Sequence, residues 1–237
     1  MITIAHLYHD LMNLYGESGN VKALKFAFES MGIKTNVILL SINDKLEFDK
    51  YDFIYMGAGT ENNQKIVLQD LSKYKKEIKE AYENGTYFLM TGNALELFGE
   101  KILFDNDELK GINLFPFTTT IENFRIVDEA YMNSNIIKKP IIGFQNHSGM
   151  IDNIDTPLFE VIKGTGYKPN TKYEGIHNNN FFGTYIIGPI LVRNPELLKY
   201  FVNNLLKKKN IKPVHKLNLN LDIKAYNEFI KNYYSEK

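Results

Sequence analysis

The chain has no cysteine, and only Arg125 and Arg193 are arginines among its 28 basic residues. Without cysteine there is no disulfide framework, no thiolate metal site and no thiol nucleophile. Charge of one sign is missing too. The 28 acidic residues balance the basic ones, so no global field draws the chain to nucleic acid or to an anionic membrane. No apolar run approaches the length of a membrane span, and Met1-Ile2-Thr3-Ile4 lacks the charged start and apolar follow-on of a secretory signal. Membrane insertion is therefore not expected, and the cytoplasm is the default location. The chain also lacks a phosphate-binding glycine loop and any ligand set at metal spacing, so neither a metal nor a cofactor is expected.

What is present, over 237 residues, suits one large domain with a substantial core. The most informative stretch is Tyr87 to Gly99. It predicts a buried strand to Met90, a sharp turn at Thr91-Gly92-Asn93 and a short helix stopped at Gly99. A strand entering a helix through such a turn has the geometry of a nucleophile elbow, with helix N–H groups offered to an anion. Neither Cys nor Ser stands at its tip. Ahead of it, the pattern predicts strands at Ile2–Leu7, Thr35–Leu40 and Tyr51–Met56. A helix from about Asn20 to Met31 buries Val21, Leu24 and Phe28, and a single long helix runs from about Gln64 to Asn84. That alternation is the signature of a parallel sheet with crossover helices.

After the elbow the pattern turns β-rich. Strands are expected at Asn113–Thr120, Phe124–Met132 and Ile141–His147, suited to antiparallel pairing beside or across the parallel sheet, and another at Phe181–Ile187. Asn194-Pro195 opens a helix to about Leu206, and Lys207-Lys208-Lys209 reads as its solvated, dipole-complementing end. Residues 1–208 form the expected domain; residues 209–237 form a linker and a helical tail, with the helix from Leu221 to about Tyr233.

Several blocks, taken in order, resemble one family. They are His6-Leu7-Tyr8-His9-Asp10-Leu11-Met12-Asn13-Leu14-Tyr15-Gly16-Glu17-Ser18-Gly19-Asn20, Gly57-Ala58-Gly59-Thr60-Glu61-Asn62-Asn63-Gln64, Gly143-Phe144-Gln145-Asn146-His147-Ser148-Gly149, and Glu174-Gly175 followed by Gly183-Thr184-Tyr185-Ile186-Ile187-Gly188-Pro189. They are similar to class I glutamine amidotransferases of the cobyric-acid-synthase-like branch, and within it to the glutaminase subunits of lipid II isoglutaminyl synthases. The resemblance covers about the first 205 residues. It implies an α/β, flavodoxin-like three-layer fold: a mostly parallel central sheet with antiparallel additions in the second half. It also implies chemistry. In that family an elbow cysteine attacks the side-chain amide of glutamine, a histidine relays the proton, and backbone N–H groups hold the oxyanion. The ammonia passes to a Mur-ligase-like protein partner that amidates a cell-wall precursor.

Here the sequence departs from the family. The family's elbow, Cys-Gly-Gly-Tyr-Gln, aligns with Gly92-Asn93-Ala94-Leu95-Glu96, so the nucleophile position is Gly92. The histidine of the family's Gly-Thr-Tyr-Leu-His-Gly-Pro block is replaced by Ile187. With both members missing, no residue is assigned as catalytic and no thiol-based hydrolysis is expected. The pocket candidates are Gly57, Ala58 and Gly59, as oxyanion donors or only turn residues, with Thr91, Gly92, Asn93, Glu96, Arg125, His147 and Glu174. Thr91 is inert without an adjacent base. Glu96 puts a carboxylate where the family has glutamine. Arg125 suits a carboxylate ligand, or is a surface ion pair. His147 fits a structural hydrogen bond, and Glu174 orients a base or caps a turn. His6 and His9 read as satisfied loop histidines. Two readings stand. The chain is a non-hydrolysing pseudoenzyme subunit of a Mur-ligase-like partner; or it is an active amidotransferase with a repurposed nucleophile, or a protein that binds glutamine or another small ligand.

Overall fold

The computed structural model describes residues 1–234. In chain order its elements are β1 (Ile2–Leu7), α1 (Ser18–Ser30), β2 (Thr35–Leu40), β3 (Phe53–Met56), α2 (Glu61–Leu71), α3 (Lys75–Glu83), β4 (Tyr87–Thr91), β5 (Lys101–Phe104) and β6 (Asp107–Lys110). There follow β7 (Thr118–Ser134), β8 (Ile141–Asp152), β9 (Phe159–Lys163), β10 (Tyr173–Glu174), β11 (Ile176–Asn178), β12 (Phe181–Thr184), β13 (Ile186–Ile187), α4 (Ile190–Arg193), α5 (Pro195–Lys208) and α6 (Asn220–Tyr233). No helix among the described residues is long and apolar enough to cross a membrane.

The central sheet has six strands in the order β11-β12-β4-β3-β1-β2. All of its pairings are parallel except that of β11 with β12. Its inner strands are apolar on both faces because both faces are covered. Ile54, Met56, Phe88 and Met90 pack in a cluster with Val67, Leu68 and Leu71 of α2 and Ile78 of α3. Phe53, Tyr55 and Leu89 point the other way, into a cluster with Val21, Leu24 and Phe28 of α1 and the apolar stripe of α5. The result is a three-layer arrangement.

The second half forms a separate seven-stranded sheet, larger than the additions the sequence suggested. Its spine is β7, which pairs antiparallel with β8 and β9 and parallel with β5. The register of β7 on β8 jumps between Ile121 and Ile126. Such irregularities bend a strand and re-aim its side chains, and Arg125 sits within this one.

Several expected boundaries move. The long helix breaks at a 3₁₀ turn, Ser72–Tyr74, and begins earlier, at Glu61, where the Thr60 hydroxyl accepts the Asn63 N–H at 3.2 Å. Residues 111–117 are irregular rather than strand. Their N–H groups bond to carbonyls of the elbow segment, as Ile112 to Leu97 at 2.8 Å and Leu114 to Phe98 at 3.0 Å. The expected strand Phe181–Ile187 splits between two sheets. The Glu174 carboxylate accepts the Tyr185 N–H at 2.6 Å and the Thr184 hydroxyl at 2.7 Å, while the Ile186 N–H turns to the Thr184 Oγ1 at 3.0 Å. Those bonds replace the ladder and carry the chain from the central sheet to β8.

The lysines at the end of α5 are not merely solvated. Lys208 donates to the carbonyls of Asn84 and Gly85, and Lys209 pairs with Asp52 at 2.8 Å. α6 is held to the body by Tyr226, whose hydroxyl donates to the Pro140 carbonyl at 2.7 Å. Residues 235–237 of the segment expected as a tail lie outside the described residues.

Asn194 fastens the second sheet to the helical layer. Its Oδ1 accepts the Ile142 N–H at 2.9 Å, and its Nδ2 donates to the carbonyls of Ile142 and Ile190, both at 2.8 Å. It is buried, as is Ile142. Asn194→Ala leaves a buried backbone pair without partners, at a cost of about 2–4 kcal/mol. The urea midpoint should fall accordingly with the slope unchanged.

Candidate functional site

The parallel strands β1, β3, β4 and β12 run out together, and α/β sheets bind ligands at such carboxyl ends. Each strand end delivers a candidate. β4 ends at Thr91, and Gly92 follows with φ +59°, a left-handed conformation that keeps the elbow's sharp turn. The short helix expected beyond it is a seven-residue 3₁₀ helix, Gly92–Phe98, capped at Gly99. A side chain at Gly92 has nowhere to go. A Cβ built there would lie 2.6 Å from the Ala58 Cβ and 3.2 Å from the Ile187 Cγ2.

Gly57-Ala58-Gly59 follows β3 against the first loop. A Cβ on Gly57 would lie 2.7 Å from the Glu17 Cβ and 2.9 Å from the Met12 carbonyl oxygen; one on Gly59 would lie 2.8 Å from the Leu11 oxygen. The glycines are therefore there for close backbone approach. The Gly59 N–H is already engaged, donating to the Asn93 Oδ1 at 2.9 Å, while the Asn93 Nδ2 donates back to the Gly59 carbonyl at 3.0 Å. The elbow's own side chain thus occupies one of the donors expected for an oxyanion.

Behind the turn lies Glu17, which sequence reasoning did not select. It is fully buried. It accepts hydrogen bonds from the Tyr55 hydroxyl at 2.7 Å, from the Thr91 hydroxyl, and from the Gly188 N–H at 2.9 Å. Asn20 donates to the Tyr55 hydroxyl at 2.9 Å. Burial pushes the Glu17 carboxyl above the usual carboxylate range. Thr91 therefore has a carboxylate beside it, but the hydroxyl is enclosed.

In front of the turn is a cavity of about 250 Å³ lined by Ala58, Gly59, Gln64, Asn93, Glu96, Arg125, Asn146 and His147, among others. Glu96 is 1% exposed. Gln64 Nε2 donates to one of its oxygens at 2.6 Å and the Tyr185 hydroxyl to the other at 3.1 Å. Burial outweighs those bonds and pushes its pKa up to about 7. The His147 ring stacks on the Tyr185 ring at 3.6 Å, with Nδ1 2.8 Å from the Gly149 carbonyl oxygen. Burial lowers its pKa to about 4, so the ring is neutral. With Nδ1 facing a carbonyl, the proton sits on Nδ1 and Nε2 is left as an acceptor; that Nε2 is buried and has no partner.

Arg125 also lines the cavity. It donates to Glu61 at 2.6 Å, to the Asn146 Oδ1 at 2.9 Å and to the Asn146 carbonyl at 3.2 Å. It is both an ion pair and a lining residue, so neither sequence reading alone describes it.

Of the candidates, Ala58, Gly59, Asn93, Glu96, Arg125 and His147 come together on the cavity wall, and Gly57, Thr91 and Gly92 do not line it. Glu174 lies outside it, serving the strand crossing at Tyr185, with its pKa raised to about 7 by burial. His6 is a strand residue, not a loop residue. Its Nε2 is buried without a partner, and with His9 it lines a different groove beside Lys22 and Lys25. Missed altogether were Glu17, Tyr55, Gln64 and Tyr185. Glu17, Gln64 and Tyr185 lie inside the quoted blocks, so the signal was present without the partners that give it meaning.

These groups set a pH dependence. Glu96 and Glu174 keep their protons to about pH 7, against 4.5 ordinarily. The folded state thus binds more protons across that window, and these two contributions to stability fall as pH rises through it. His6 and His147, lowered from 6.5 to about 4, act oppositely, gaining as pH rises from 4 to 6.5. Glu96→Gln removes one falling term. Its stability relative to the parent should climb between pH 4.5 and 7 by on the order of 3 kcal/mol, as read from urea unfolding at matched pH values.

Comparison with known proteins agrees with this architecture. The model of the CobB/CobQ-like glutamine amidotransferase domain matches residues 3–195. The chain is 33% identical over 211 residues to the lipid II isoglutaminyl synthase (glutamine-hydrolyzing) subunit GatD of Staphylococcus aureus (strain N315), covering 89% of this chain and 86% of that one. It is 31% identical over 212 residues to the subunit of the same name from Streptococcus pneumoniae (strain ATCC BAA-255 / R6), covering 88% and 82%. Among solved structures it is similar to PurLQS from Thermotoga maritima, with a TM-score of 0.55 at 16% identity over 88% of this chain and 99% of that one. A crystal structure of a glutamine amidotransferase gives 0.57 at 11% identity, over 85% and 98%. At such identities the structures speak for the fold alone, which is the class I glutamine amidotransferase-like α/β fold. On the match across most of its length, the chain belongs to the family of CobB/CobQ-like glutamine amidotransferases.

Proposed function

We propose that this protein is an amidotransferase-like subunit that does not hydrolyse glutamine and that serves a Mur-ligase-like partner in amidating a cell-wall precursor. The observation that carries the first half is the filled elbow. Ala58 and Ile187 occupy the space where a nucleophile side chain on Gly92 would stand. The engaged Gly59 N–H supports it further, because an oxyanion donor must be free at the moment charge develops. The second half rests on kinship, since both bacterial relatives are subunits of lipid II isoglutaminyl synthases. In this reading the partner draws on free ammonia.

A second reading has one observation in its favour. Thr91 possesses the adjacent carboxylate that its sequence neighbours did not reveal, and a hydroxyl needs such a base to act as a nucleophile. Against it, Thr91 is 0% exposed and does not line the cavity. The Glu17 carboxylate is also shared with Tyr55 and Gly188.

Glutamate release from L-glutamine separates the two, measured with the protein alone and with the Mur-ligase-like partner. No release in either condition, with stable co-purification, is expected. Release that Thr91→Ala abolishes would overturn the proposal. The filled elbow makes a sharper forecast. Gly92→Cys with Ile187→His should remain silent, because the Ala58 methyl still blocks the thiol. Adding Ala58→Gly should yield measurable release, less the 1–3 kcal/mol or so of strain that a side chain pays at positive φ.

A further inference from the structure

The two edges of the central sheet are finished differently. At one, β11 is a three-residue strand paired antiparallel. At the other, β2 runs for six residues and pairs with β1 alone. The carbonyls of Lys34 and Leu40 turn inward to β1, accepting the N–H groups of Ile2 at 3.0 Å and His9 at 3.2 Å. By the two-residue period of a strand, the N–H and C=O groups of Thr35, Val37 and Leu39 therefore turn outward. Among the described residues no other strand pairs with them. Natural edge strands are blunted by a lysine, a proline or a bulge. Thr35-Asn36-Val37-Ile38-Leu39-Leu40 has none of these. Leu39 is 54% exposed, and with Val37 it lines a groove beside Val21 and Lys25 of α1.

We infer that β2 is a docking edge for a second copy of this chain, the two β2 strands pairing antiparallel about a two-fold axis at Val37. That register sets Val37 against Val37, and Thr35 against Leu39 of the other copy. Every outward donor then meets an outward acceptor, and two sheets run on as one. The ends of the strand are matched in charge as well. Lys34 stands just before it, and Ser41 just after it is held by two carboxylates. The Ser41 N–H donates to Asp44 at 2.7 Å and its hydroxyl to Asp10 at 2.7 Å. Among the described residues neither Lys34, Asp10 nor Asp44 belongs to a salt bridge. Antiparallel pairing carries Lys34 of each copy to the Asp10 and Asp44 end of the other, whereas parallel pairing would set like charges together. This self-complementarity selects a second copy over an unrelated strand. The inference stands apart from whether glutamine is hydrolysed.

The test measures the mass of the full chain by sedimentation equilibrium over a range of concentrations. A concentration-dependent dimer is expected. Val37→Pro removes an outward donor and no bond to β1, and Leu39→Lys puts a charge on an exposed edge position. Each should weaken the dimer at least tenfold with the circular dichroism spectrum unchanged. Lys34→Glu and Asp44→Lys should each weaken it too, and mixing the two variants should restore it, because only the mixed pair has opposite charges at both ends. The chain has no cysteine of its own, so Val37→Cys reads the register directly. Residues opposed in a hydrogen-bonded pair lie about 5.5 Å apart at Cα, within reach of a disulfide. Oxidised Val37→Cys should become a covalent dimer. Thr35→Cys should not, since its two copies would stand roughly 13 Å apart.

A monomer at every concentration overturns the inference, and so does a dimer untouched by both Val37→Pro and Leu39→Lys. Cross-linking through Thr35→Cys in place of Val37→Cys overturns the register. If the isolated chain is monomeric and Leu39→Lys instead abolishes co-purification with the Mur-ligase-like protein, the edge belongs to that partner and the second copy is ruled out.

Discussion

The carboxylate of Glu17 is the constraint on which the site is hung. Sitting in the loop before α1, it accepts from Tyr55 at the end of β3, from Thr91 at the end of β4 and from Gly188 after β13. Three strand ends and the first loop therefore share one buried acceptor. Enclosing a carboxylate is expensive unless donors saturate it, so the four segments cannot drift apart without exposing that cost. The elbow holds its positive φ at Gly92 within this frame.

That frame separates the shape of the elbow from its chemistry. The turn, the close glycine backbone at positions 57 and 59, and the crossing of the chain from β12 to β13 are all in place. The space they would offer a nucleophile is filled from two sides by Ala58 and Ile187, and Asn93 satisfies the Gly59 peptide at both its N–H and its carbonyl. A strand–turn–helix pattern thus specifies backbone geometry and says nothing of reactivity, which is why fold kinship and activity have to be argued apart.

Much of this could be read in the sequence, where signals are local. The glycine-punctuated alternation gave the parallel sheet, and Gly92 was located at the tip from a single stretch. What stayed hidden depends on partners far along the chain. Glu17 meets Tyr55, Thr91 and Gly188 at separations of 38, 74 and 171 residues, and nothing near position 17 announces them. Phe181 to Ile187 reads as one strand because aromatic and β-branched residues fill most of it; the split arises from Glu174 intercepting the Tyr185 N–H. Ile112, Leu114, Phe115 and Phe117 carry apolar side chains suited to a strand, yet the N–H groups of Ile112, Leu114 and Phe115 find carbonyls of the elbow segment instead of a ladder. The break at Ser72 is likewise invisible in an amphipathic pattern that continues across it.

The site is packed unevenly, and the cavity is its open part. A pocket with no occupant gains stability by closing: apolar side chains in place of buried polar ones remove desolvation cost and add packing. At the elbow the packing is closed in this way, with Ala58 and Ile187 within contact distance of where a side chain on Gly92 would stand. A short step away the chain does the opposite. It buries Glu96 at 1% exposure with its pKa raised to about 7, leaves the buried His147 Nε2 without a partner, and keeps a cavity of about 250 Å³ whose wall includes both residues. Proteins retain such locally unfavourable arrangements where function requires them. The two halves of the site are packed differently: Ala58 and Ile187 close on Gly92, while the cavity lined by Glu96 and His147 stays open.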